Sequence, residues 1–162
     1  MAASVQKLKS AVLALFLLVG LVLPSLAEVT FDTGKLTIET TTGEVREFDV
    51  EWAISMEQRA RGLMQREHLA EDAGMLFDFG ESRMVTMWMA NTPLSLDMLF
   101  INETGRIVRV AERTTPFSEA IVGSGEPVRY VLEIRGGRAG QLGIAAGSRM
   151  RLPLAVPQRS QP

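Results

Sequence analysis

The 162-residue chain contains no cysteine, which removes disulfides, thiolate nucleophiles, iron–sulfur clusters and cysteine-based zinc sites together. His68 is the sole histidine. A zinc cluster of histidines cannot form within one chain, and a Ser-His-Asp triad would have to run through this residue. It stands among Glu67, Glu71 and Asp72 in a chain without a Gly-x-Ser-x-Gly motif, and reads as a surface or loop residue. Lysine is scarce: after residue 27, Lys35 stands alone among arginines. Excess charge of one sign is missing too. Seventeen basic residues face 19 acids, for a net −2, and the signs are interspersed, which argues against a nucleic-acid or anionic-membrane partner.

A long apolar run occurs once, at residues 11–23, after Lys7 and Lys9 and before Pro24-Ser25-Leu26-Ala27. This is the order of a secretory signal peptide: basic segment, apolar segment, small-residue cleavage site. Thirteen residues ending at a proline fall short of the ~20 that span a bilayer. Cleavage is expected after Ala27, and the missing cysteine closes the bacterial lipoprotein route. The product has 135 residues, with 15 basic against 19 acidic side chains, a charge of −4. It is expected in the periplasm or secreted, free of the membrane, and built as one domain over 28–156 with a polar tail at 157–162. No cofactor is expected.

Past Glu28, short alternating runs between turn residues mark half-buried strands at 36–40, 47–54, 75–79, 85–89, 94–101, 107–111, 130–135 and 150–154. Asn102-Glu103-Thr104-Gly105 joins two of them as a hairpin. Ser55 and Gln58 form a capping box opening a helix to about Arg66, with Met56, Ala60, Leu63 and Met64 on one face. A single helical turn is expected at 138–142, between Gly136-Gly137 and Gly143. The fold class is mainly β (α+β): a compact antiparallel barrel or rolled sheet with one short helix and one helical turn.

The densest stretch runs from Met87-Trp88-Met89-Ala90-Asn91-Thr92-Pro93 through Leu94-Ser95-Leu96-Asp97-Met98-Leu99-Phe100. It follows Arg61-Gly62-Leu63-Met64 and Gly74-Met75-Leu76-Phe77, and precedes Tyr130-Val131-Leu132-Glu133-Ile134 with Gly137 and Gly147. In this order the blocks resemble the domain-of-unknown-function 192 family, over about residues 36–152. The resemblance implies a compact β-rich fold in exported or membrane-associated proteins, and no reaction.

Strand alternation sets Asp97 and Glu133 among apolar neighbours, where a carboxyl must find a partner or shift its pKa. They are the candidate catalytic residues, a general acid and base of the glycosidase kind. Equally, each is satisfied by an arginine (Arg61, Arg66 or Arg135) or by backbone amides. Trp88, Asn91 and Thr92 at a strand end form either a ligand-contacting turn beside an indole or a capped turn with the tryptophan in the core. Gly136-Gly137 opens either an anion-binding helix start or a plain turn. Met87, Met89 and Met98 are soft-ligand candidates for Cu(I), and also ordinary core filler. The ligand-binding candidates are therefore Arg61, Trp88, Asn91, Thr92, Asp97 and Glu133. The leading expectation is a non-enzymatic module for a small polar ligand or an envelope protein, and a hydrolase is the alternative.

Overall fold

The computed structural model describes residues 29–151, so the expected signal segment and the 157–162 tail lie outside the described residues. Nine strands and two short helices follow in the order β1 (Asp32–Glu39), β2 (Val45–Ala53), α1 (Met56–Arg61), β3 (Ala73–Arg83), β4 (Thr86–Met87), β5 (Leu96–Ile101), β6 (Ile107–Ala111), β7 (Val122–Gly123), β8 (Val128–Arg135), α2 (Arg138–Gln141) and β9 (Arg149–Arg151). Seven strands form one sheet in the order β6-β5-β8-β3-β2-β1-β9. Its two edges meet where Arg106 bridges Arg149, with Ile107 donating to the Ser148 carbonyl and Met150 to that of Gly105. The sheet is thereby a nearly closed barrel. Every ladder is antiparallel except β2 with β3, which α1 and the loop after it connect as a crossover.

Period-two alternation sorts the side chains into two layers. Leu36 and Ile38, Phe48, Val50 and Trp52, Leu99 and Ile101, and Leu132 and Ile134 fill the barrel with residues from β3, β6 and β9. Met75 and Phe77, Met98 and Phe100, and Val131 point the other way, into a second apolar cluster. That outer layer is covered by Leu63 and Leu69 after α1, and by the connections that carry β4 and β7. β5 is consequently buried along its whole length. Gly74 fits this crowding: a Cβ there would stand 2.7 Å from the Glu133 carbonyl oxygen of β8.

Three expectations need correction. The helix stops at Arg61 because Gly62 and Gln65 both take positive φ, 47° and 62°. Met56 is 81% exposed rather than on an inner face, while Gln58 is the buried helical residue, its side chain accepting from Ser55 N in the capping box and donating to Thr30 O. The strand expected at 85–89 shrinks to two residues, paired with β7, which the sequence pattern does not mark. No helix among the described residues is long and apolar enough to cross a membrane.

Candidate functional site

Asp97 and Glu133 lie on adjacent strands but face opposite ways. In the β5–β8 ladder Asp97 opposes Ile134 and Met98 opposes Glu133, and opposed residues share a face while successive ones alternate. Asp97 therefore joins the barrel side and Glu133 the outer side. The two carboxyls cannot flank one bond, which removes the geometric basis for an acid–base pair.

Asp97 is fully buried and occupied by the chain itself. The backbone amides of Arg113 and Gly137 donate to its Oδ1 at 2.7 and 2.8 Å, and that of Ala139 to Oδ2 at 2.8 Å. Two of these amides belong to the start of α2, so the anion met by the Gly136-Gly137 turn is the chain's own carboxylate. Gly137 sits at φ 83°, and a Cβ there would fall 2.8 Å from Arg113 Nε, so glycine keeps the cradle open.

Glu133 is the opposite case. It is 4% exposed, and no hydrogen bond or ion pair reaches its carboxyl among the described residues. Burial is the one cause acting on it, and pushes its pKa up to about 8. The arginines considered as its partners are engaged elsewhere: Arg66 with Glu51 at 2.5 and 2.6 Å, Arg135 with Glu71, and Arg61 with the Gln65 side chain. At neutral pH Glu133 is thus mainly a neutral acid with one O–H to donate.

Above Glu133 lies an open pocket of about 130 Å³. Phe77 and Phe79 of β3 form one wall. Residues 59–64 of α1 and its exit form a second, and Thr86, Met87, Trp88 and Thr92 a third. Trp88 is 53% exposed, so the indole is at the pocket rather than in the core. Backbone strain gathers around this wall: Asn91 and Phe117 take φ of 56° and 59°, Asn91 O accepts from Gln65 N, and Thr92 O accepts from Phe117 N. Non-glycine residues at positive φ are costly and cluster where geometry is functional.

Four of the six ligand-binding candidates, Arg61, Trp88, Thr92 and Glu133, line this pocket. Asn91 shapes it through its backbone without lining it, and Asp97 is sealed on the far face. Met87 lines the pocket, while Met89 and Met98 are buried in the outer layer. Met89 Sδ stands 3.1 Å from the Thr114 hydroxyl, a contact that fits the core-filler role. His68 is exposed in a loop beside Ser95 and Arg135. Arg59 and the Phe77–Phe79 wall escape sequence reading, because the crossover that brings α1 over β3 leaves no local signature.

The comparisons with known proteins fit this architecture. The DUF192 family model, described as Uncharacterized ACR, matches residues 37–152. The chain belongs to this family. A solved structure from Sinorhizobium meliloti 1021, provisionally described as a transcription regulator, is 47% identical with a TM-score of 0.75, over 76% of this chain and 96% of that one. A protein of unknown function from Novosphingobium aromaticivorans DSM 12444 is 33% identical with a TM-score of 0.71, over 74% of this chain and 85% of that one. No curated protein matches. Membership goes with the barrel fold and assigns no ligand or activity.

Proposed function

We propose that this DUF192 protein is a non-enzymatic, exported binding module that holds a small organic ligand in the Glu133 pocket. The observation that carries the reading is the unpartnered acid at the floor of an open, aromatic-walled pocket. The Glu133 carboxyl faces the open pocket, so a ligand oxygen can take the place of solvent there and accept its O–H. Trp88 offers a flat apolar face over the same space, and Thr92 lines it. Such a concave apolar site with a few polar groups is the usual form of a small-molecule site. Export rests on the signal-like order of residues 1–27, and no membrane contact is assigned after cleavage. The charge of −4 after cleavage, with both signs interspersed, argues against nucleic acid as the partner, and no cofactor or metal is invoked.

A thermal-shift screen of small organic fragments tests the reading, since a ligand that binds only the native state raises the melting temperature by its own binding free energy. Some fragments should stabilise the wild type and lose that effect in Trp88→Ala, an exposed position that leaves the core intact. A screen without stabilisers, or with stabilisers indifferent to Trp88→Ala, overturns it. Export is tested by the mass of the protein released from cells, which should begin at Glu28.

A further inference from the structure

The rim of the Glu133 pocket carries positive charge that the chain does not neutralise. Arg59 lines the pocket, and one of its nitrogens donates to the carbonyls of Ile54 and Asp78, which are neutral groups. Arg61 also lines it, is exposed, and bonds the Gln65 amide oxygen at 3.1 Å. Arg83 stacks on Phe79 with its guanidinium carbon 4.9 Å from the ring centroid, and Arg59 stacks on the same ring at 5.5 Å. None of the three makes an ion pair among the described residues, whereas seven other basic side chains do. The nearby Asp78 is already held by Arg129 through two bonds of 3.0 and 3.1 Å. Arg59 is held below its ordinary range first by burial and then by the charge of Arg83, with Asp78 opposing. Arg59 and Arg83 thus set like charges about Phe79, and Arg59 and Arg61 bring positive charge to the pocket wall, which an incoming anion offsets.

The pocket is accordingly polarised. Arg59 and Arg61 make one wall cationic, Phe77, Phe79, Met87 and Trp88 make others apolar, and the acid that lines it, Glu133, is shifted toward its neutral form by burial. A charged group over the buried Glu133 would lose hydration without a counter-ion, whereas the same group at the exposed α1 wall keeps it and meets a guanidinium fork. The volume of about 130 Å³ matches one small ring, since a comparable apolar cavity of about 150 Å³ accepts benzene.

We infer that the pocket binds a small organic acid, with its anionic group at Arg59 and Arg61 and its single ring or short apolar chain over Glu133 between Phe77 and Trp88. This inference rests on the reading of the pocket as a ligand site, and adds to it the charge and orientation of the ligand.

Matched probes test it on the full chain by tryptophan fluorescence and calorimetric titration: benzoate against benzyl alcohol, and hexanoate against hexanol, with inorganic phosphate as a charge-only probe. Each acid should bind about tenfold or more tighter than its alcohol, as a charge-assisted contact predicts. Arg61→Gln should lower affinity for the acids about tenfold and leave the alcohols unchanged. Trp88→Ala should weaken both members of each pair. Equal binding of acid and alcohol overturns the inference while the ligand-site reading stands. Phosphate binding as tight as benzoate does the same, whereas acid binding that ignores Trp88→Ala overturns both. If no acid or alcohol binds up to about 10 mM, weaker than the −4 kcal/mol of a millimolar site, both fall.

Discussion

Asp97 and Glu133 are diagonal neighbours across the β5–β8 ladder, and what separates them is the supply of amides on each face. Asp97 meets three backbone donors, so Asp97→Asn should be costly. An asparagine turns an N–H toward amides that need an acceptor, leaving buried donors unpaired, and a loss of about 2–4 kcal/mol in urea unfolding is expected. Glu133 meets none. With its pKa raised to about 8, the native state retains a proton that the unfolded chain releases above the ordinary carboxylate range. Stability therefore falls as pH rises through that window and levels off above about 8. Glu133→Gln keeps the shape without the titration. It should match the wild type near pH 4 and exceed it by a few kcal/mol at pH 8.5, and urea midpoints at the two values check this. Strand alternation was enough to mark both acids as sheltered. Which face each takes was not legible, because that depends on the β5–β8 register, a pairing of residues more than thirty positions apart.

At the scale of elements, α1 is short, and its capping box holds it against the sheet. Ser55 Oγ accepts from Gln58 N at 3.1 Å, and the Gln58 side chain closes the box on Ile54 N and Ser55 N while reaching Thr30 O at 2.7 Å. Ser55→Ala should cost about 1 kcal/mol. Gln58→Ala should cost more, about 2–3 kcal/mol, because it also strands the buried partners; chemical denaturation ranks the two. Since α1 forms a wall of the pocket, both variants should shift Trp88 emission in the native state. The box was plain in sequence because its chemistry is local. The end of the helix was not, since Gly62 alone reads as tolerable and Gln65 takes its positive φ where its amide bonds Asn91 O across the pocket wall. The β4–β7 ribbon was equally hidden: two residues on each side carry no periodicity.

For the molecule as a whole, burial is uneven. β5, β8 and the first half of β3 are covered on both faces by the barrel core and the outer layer, whereas β4 and β7 pair only with each other. Native-state hydrogen exchange should place the slowest amides in β5 and β8, at the free energy of global unfolding. The ribbon should exchange far sooner, and equal protection would contradict the two-layer description. The mainly β class was readable from alternating runs, as were the seven strands of the main sheet, while the eighth expected strand, at 85–89, was not one of them. The parallel β2–β3 ladder was not, because a crossover of about twenty residues containing one short helix looks in sequence like any long connection.

The seam between β6 and β9 bears on how the chain is made. β9 is the last described strand, and its Arg149 and Met150 supply the contacts that join the two sheet edges. During synthesis β1 is among the first segments to emerge, yet it lacks one of its two neighbours until residue 151 exists. A nascent chain can assemble the β1–β2 hairpin early, but the barrel stays open until β9 joins it. Closure therefore waits for β9 whatever else has folded, and until then the open edge gives any factor that handles unfolded chains its interval to act.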